Sequence, residues 1–360
     1  MPNKDLRIFV GPVWFGKIAP TLAHAMREMG IKATSVVEGK VPARYPDADY
    51  SVVMDFQGLK PWQIVLKRLW YFWQFLHQHD AFIFIFGTSL LSHNLDLPVL
   101  KLFHKKTVMW FIGSDIRHYE SVSAAAKKMG IKYRRSEARR ISPERLEQKK
   151  RMIHRVEKYV DYIISYPAVS HLLTREYHTV LIPLDVENIM YNNMPNPRPV
   201  VVHAPSHEGK KGTSYILKAV ERLKKEGYDF DFCLFQKTPN KVVRESLSKA
   251  DIAVDQLFAT GGGMFALESM AAGCAVLGGN IPEFSGYSRE LPIIHTTTDN
   301  IYQNLKMLLD NPKLRQELGG KGRKYVEKYH DARKIAKILI RLITTGKAEV
   351  AYSVNQEEGN

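Results

Sequence analysis

The sequence predicts an α/β protein made of two doubly wound domains. Three observations carry that prediction. Strand-like apolar runs alternate with helix-like runs along most of the 360 residues. Those runs are nearly continuous in apolar residues, the pattern of parallel strands covered on both faces. A proline-rich stretch, Ile182 to Pro199, divides the series in two, and Pro183, Pro195, Pro197 and Pro199 discourage any regular element there. Two such series in one chain of this length suit two α/β domains.

In chain order the first series reads "LRIFV", "KATSVV", "YSVVM", "AFIFIF", "TVMWFI" and "YIIS". The second reads "VVVHA", "FDFCLF", "IAVDQL", "CAVLGG" and "PIIHT". Between "VVVHA" and "FDFCLF" a helix is expected with Thr213 or Ser214 as N-cap, Ile216, Leu217, Val220 and Leu223 as its buried face, and Gly227 at C′. Past Tyr329, the run "HDARKIAKILIRLITTG" places Ile335, Ile338, Leu339 and Leu342 on one stripe. The tail from Lys347 is polar and expected to fray. The expected division is an N-terminal domain over 1–183, a second over 184–328, an amphipathic helix over 329–346, expected to cross back to the first, and a tail over 347–360.

Composition narrows the function. A hydrophobic fraction of 45% excludes a disordered chain, and a net charge of +15 points to an acidic partner: nucleic acid, anionic lipid or a phosphorylated substrate. Cys233 and Cys274 are the two cysteines, which gives neither a disulfide framework nor zinc spacing. Both are expected in the core of a protein kept in a reducing, cytoplasmic setting. The start "MPNKDLRIFVG" enters a strand at once, without the pattern of a signal peptide, and no run reaches the ~18 apolar residues of a membrane span.

Two segments point to a surface. Pro61 to His79 holds Trp62, Leu66, Leu69, Trp70, Phe72, Trp73, Phe75 and Leu76 beside Lys67 and Arg68. That suits a helix lying in a membrane interface. It equally suits a helix packed on the sheet, and the wrap of apolar positions favours packing, with the tryptophans in the core. Lys127 to Lys158 carries Lys127, Lys128, Lys132, Arg134, Arg135, Arg139, Arg140, Arg145, Lys149, Lys150, Arg151, Arg155 and Lys158 against Glu137, Glu144, Glu147 and Glu157. Peripheral attachment to an anionic membrane, a phosphorylated acceptor and a solvated helix face all fit it.

The most informative stretch is "IAVDQLFATGGGMFALESMAAGCAVLGG", Ile252 to Gly279. It reads as a buried strand, a glycine turn, a helix and a second strand. A glycine turn feeding a helix N-terminus gathers backbone N–H groups where the macrodipole favours an anion. Gly261, Gly262 and Gly263 leave room for a phosphate, and Glu268 lies one turn into the helix, able to accept from sugar hydroxyls. Together these suit a nucleotide diphosphate. Lys210 and Lys211 sit before another helix start at a strand end, where ligands bind in open α/β sheets. "GPVWFGK" imitates a phosphate loop, but Ile18 occupies the hydroxyl position that would hold Mg²⁺.

The pieces "HAPSHEGKKGT", "KADIAVDQL", "GGGMFALESMAAGCAVLGG" and "LLDNPKLRQELGGKGRKYVEKYH" resemble the retaining glycosyltransferases of family 4, over roughly Val200 to Tyr329. "GPVWFGK" and "GSDIR" resemble the family more loosely in the first half. The resemblance implies two Rossmann-like domains facing across a cleft, the B-type glycosyltransferase fold. It implies that Lys211, with Lys210 as alternate, contacts a donor diphosphate. Glu268 would bind the ribose, and the amides of Gly262, Gly263, Met264 and Phe265 would cradle the distal phosphate or sugar. Gly16 would let the first loop approach the donor. Asp115 and Arg117 would lie on the acceptor side, Lys211 and Asp115 being the catalytic candidates. No metal or other cofactor is implied.

The sequence departs from the family pattern in three places. Thr260 stands where the first glutamate of an E-x7-E pair is usual, Ile112 where a histidine often precedes "GSD", and Ser206 and His207 where an arginine is expected. The implied activity is transfer of a sugar from a nucleotide donor to a glycan or lipid-linked acceptor in cell-envelope or polysaccharide synthesis, at the inner face of the membrane. The rivals are a catalytically degenerate scaffold that binds sugar nucleotides or polyanions, and a sugar-nucleotide epimerase. A specific nucleic-acid binder is disfavoured, because no recognisable module presents stacking aromatics.

Overall fold

The computed structural model describes residues 5–133, 141–192, 194–286 and 290–348. Arg134, Arg135, Glu137, Arg139 and Arg140 of the basic segment lie outside them, as does the expected tail beyond Ala348.

The chain divides into two compact units. Of the described residues, the first draws on 5–118, 141–183 and 332–348, the second on 119–133 and those from 184 to 331. Each holds one parallel sheet.

In the first unit the chain runs β1 (Arg7–Gly11), α1 (Ile18–Glu28), β2 (Lys32–Glu38), β3 (Val52–Met54), α2 (Pro61–Gln78), β4 (Ala81–Ile85), α3 (Leu97–Leu102) and β5 (Lys106–Trp110). After α4 (Tyr119–Lys128), which belongs to the second unit, come α5 (Pro143–Tyr159) and β6 (Tyr162–Ile164). The strand order is β3-β2-β1-β4-β5-β6. β1 and β4 are central, and Ile8, Phe9, Val10 and all of β4 are sealed from solvent. That explains their unbroken apolar sequence: both faces of a central parallel strand meet helices.

The second unit continues with β7 (Val200–His203), α6 (Glu208–Lys211), α7 (Thr213–Lys225), β8 (Asp231–Leu234), α8 (Asn240–Leu247), β9 (Ile252–Val254), α9 (Met264–Ala272), β10 (Ala275–Gly278) and α10 (Pro282–Ser285). It closes with β11 (Ile293–His295), α11 (Ile301–Asp310) and α12 (Pro312–Tyr329), before α13 (Ala332–Thr345) returns to the first unit and packs on α1. The order β11-β10-β9-β7-β8 is again all parallel. Ile216, Leu223, Ile252, Val254, Leu277 and Leu305 centre its core.

Four local expectations are corrected. α7 is capped by Gly212 in the left-handed region (φ 85°), not by the side chain of Thr213 or Ser214. Leu217 is exposed, and Ala219 takes its place on the buried face. Cys233 is only half-buried, whereas Cys274 is fully buried. Trp62, Trp70 and Trp73 of α2 are exposed instead of packed in the core. Among the described residues no helix is long and apolar enough to cross a membrane.

Candidate functional site

In the second sheet the chain leaves β7 for β8 on one side, then returns to build β9, β10 and β11 on the other. The strand order therefore reverses between β7 and β9. Ligands of open α/β sheets bind outside the carboxyl ends of strands at such a reversal. Lys210 and Lys211 end the short α6 just beyond β7, and Asp255 and Gln256 follow β9 directly.

His203, the last residue of β7, ties this region together. Its Nδ1 lies 2.7 Å from the Val254 carbonyl and its Nε2 2.9 Å from Thr213 Oγ1. A carbonyl only accepts, so Nδ1–H donates to Val254 and Nε2 accepts from the threonine hydroxyl. Burial pushes the imidazole pKa down to about 4, which keeps it neutral and preserves both bonds. One ring thus joins the ends of β7 and β9 to the start of α7.

The glycine turn stands next to these groups. Gly263 is the N-cap of α9, with no side chain capping the helix, and its N–H reaches Asp255 Oδ2 at 3.3 Å. Lys211 Nζ donates to Gln256 Oε1 at 2.9 Å. A Cβ added to Gly263 would lie 3.2 Å from Gln256 Nε2, so the same amide meets both the lysine and the turn. Gly262 has its own reason to be glycine: a Cβ there would come within 2.9 Å of Ile293 Cδ1. The structure thereby brings Lys211 and Gly263 to one place, through a glutamine that the sequence pattern did not single out.

Met264 and Phe265 open α9, and Glu268 follows inside the helix. α9 is buried almost all round, which suits its mostly apolar sequence; Ser269 is buried by donating to the Phe265 carbonyl at 2.7 Å. Glu268 is its one ionisable residue, a carboxyl group only 5% exposed. It accepts from Asn240 Nδ2, 3.0 Å to each oxygen. Asn240 opens α8 and is itself buried. Asp255, Gln256 and Asn240 are what sequence reasoning missed at this site. The only available signal was their polarity beside apolar runs, which many loop residues share.

The first unit holds the other candidates. Gly16 sits in the left-handed region (φ 58°) in the loop between β1 and α1, and that loop follows β1 where the first sheet also reverses its order. Asp115 is buried and accepts from the N–H groups of Ile112 (3.1 Å) and Gly113 (2.7 Å), so its carboxylate ties its own turn. Burial pushes its pKa up, against those two bonds and the nearby Arg117 charge. Lys149 of α5 donates to the carbonyls of Ser114 and Arg117, at 2.7 and 3.0 Å, and holds the segment from outside.

No family model matches the sequence, and a search of curated proteins found no match. Solved structures do match in fold. Sucrose-phosphate synthase from Thermosynechococcus elongatus is 11% identical with a TM-score of 0.64, covering 94% of this chain and 98% of its own. Anabaena HepE, in complex with UDP-glucose, is 9% identical with a TM-score of 0.64, covering 94% and 99%. WaaG, a glycosyltransferase involved in lipopolysaccharide biosynthesis, is 14% identical with a TM-score of 0.59, covering 95% and 100%. The chain has the B-type glycosyltransferase fold, with two Rossmann-like domains.

Proposed function

We propose that the chain is a retaining glycosyltransferase, moving a sugar from a nucleotide-diphosphate sugar to a glycan or lipid-linked acceptor in cell-envelope or polysaccharide synthesis. The observation that carries this reading is the meeting of Lys211, Gln256 and the Gly263 turn at the reversal of the second sheet. A cation, a helix start without a side-chain cap and a buried carboxylate close by in sequence suit phosphate and ribose together.

In this reading Lys211, with Lys210 beside it, exchanges its bond to Gln256 for a diphosphate oxygen. The amides from Gly262 to Phe265 hold the distal phosphate or the sugar, that of Gly263 by exchanging its bond to Asp255 Oδ2 for the ligand. Glu268 accepts from the ribose hydroxyls. Asp255 serves the turn and not the ligand. Charge building on the departing diphosphate is met by groups already oriented, which is the largest catalytic contribution in many enzymes. The bond from the anomeric carbon to the phosphate oxygen breaks, the acceptor oxygen bonds to that carbon on the same face, and the acceptor proton passes to the departing phosphate. The proposal requires no metal ion. Asp115 and Arg117 belong to the first unit, which we assign to the acceptor, at the cytoplasmic face of a membrane, while Gly16 of the same unit lets its loop approach the donor.

UDP-sugars are the first donors to test, because HepE was solved with UDP-glucose and MnaA of S. aureus with UDP. A thermal-shift panel of UDP, GDP, ADP and their sugar conjugates tests the reading, since a ligand that binds only the folded state raises the melting temperature. A shift with one nucleotide, lost in Glu268→Ala, is expected. Absence of any shift would favour the second reading, a degenerate binding scaffold, which Thr260 and Ile112 motivate.

A further inference from the structure

The solvent face of α2 is its apolar face. Trp62, Val65, Leu66, Leu69, Trp70 and Trp73 are all exposed, the three tryptophans by 59%, 52% and 59%. Their spacing of three and four residues makes one continuous stripe along the helix. The sheet is covered instead by Phe72, Phe75 and Leu76, with Phe75 against Phe9. An ordinary surface helix shows water the opposite side.

We infer that α2 docks the first unit on an anionic lipid bilayer, lying in the plane of the interface with this stripe among the upper acyl chains. Three observations favour a bilayer over a second protein. Tryptophan, the residue most at home between headgroups and acyl chains, supplies half of the stripe. The helix contains no acidic residue, while Lys60, Lys67 and Arg68 stand at its start and flank. Lys67 Nζ is held at 2.8 Å by the Asp55 carbonyl, which leaves its charge intact, and Arg68 pairs with Glu38. The chain carries a net charge of +15, and each basic group close to an anionic surface adds attraction. With 18 residues α2 is about 27 Å long, enough to lie along a membrane, and it is not apolar enough to cross one.

This inference does not depend on the transfer reaction. The test uses the full chain with vesicles of phosphatidylcholine alone and of phosphatidylcholine mixed with phosphatidylglycerol. Wild type should sediment with the mixed vesicles and shift its tryptophan emission to the blue. The triple variant Trp62→Gln, Trp70→Gln, Trp73→Gln should bind at least about tenfold more weakly at an unchanged melting temperature. If that variant is unstable, Leu66→Gln with Leu69→Gln makes the same comparison. Failure of wild type to sediment, equal binding by the variants, or a dimer seen by light scattering that the variants dissolve would overturn the inference.

Discussion

Asn240 holds the Glu268 carboxylate with one side-chain amide, 3.0 Å from both oxygens. Both residues are buried, so these bonds are made in a poorly solvated setting, where leaving either group without its partner is costly. Asn240→Leu removes them at a cost of about 2–3 kcal/mol, read as a lower urea midpoint. If Glu268 takes the ribose, Asn240→Asp also weakens nucleotide binding, because a second carboxylate repels the first. Unchanged stability and unchanged affinity would sever the pair from the site.

Lys211 gives a cleaner separation of binding from folding. It is half-buried and its Nζ donates to Gln256 Oε1; glutamine keeps a polar side chain there, and Lys211→Gln should alter the unliganded melting temperature little. It should weaken nucleotide affinity by about tenfold or more, the scale of one charged contact. Lys210→Gln should do less. Isothermal titration of both variants decides the order.

The two most strongly shifted histidines predict acid sensitivity. His79 in the first unit repeats the arrangement of His203, with Nδ1 at the Phe75 carbonyl and Nε2 at Thr34 Oγ1, and burial lowers both pKa values to about 4. Unfolded, each titrates near 6.5. Between those values the unfolded chain holds the extra proton, so stability is full above 6.5 and is lost as pH falls toward 4. Each contributes roughly 3 kcal/mol at most. Asp96 and Asp115, raised by burial, act in the opposite sense. Urea midpoints measured from pH 7 to 4.5 should fall; a flat profile would contradict this account.

Gly279 supports the glycine turn from behind. A Cβ there would stand 2.1 Å from the Ala259 carbonyl oxygen, a backbone atom that cannot step aside alone. Gly279→Ala should destabilise the second unit by about 1–3 kcal/mol. Calorimetry of the variant checks it, and a melting temperature equal to wild type would show that the turn relaxes freely.

The strands were legible because burial on both faces writes itself as continuous apolar sequence, as in "AFIFIF" and "IAVDQL". The outward face of α2 was not. Apolar residues wrap that helix, and composition cannot say which arc meets the sheet. Gly212 was readable as a stop or as a start, and only its φ shows that it ends α6 and caps α7 at once. Gln256 and Asn240 were hidden for another reason. Their partners lie 45 and 28 residues away, and no local pattern encodes such pairings.

The return of α13 to the first unit carries a cost in time. α1 buries Ile18, Leu22 and Met26, and α13 packs on it with Ile335, Leu339 and Leu342 sealed from water. During synthesis, β1 and β2 can cover one side of α1 early, but α13 is absent until the chain beyond Ala332 has left the ribosome. Domains otherwise tend to fold from the N-terminus as they emerge. Here the unit begun first is finished last, and a nascent chain halted before Ala332 would present the side of α1 that α13 covers to chaperones.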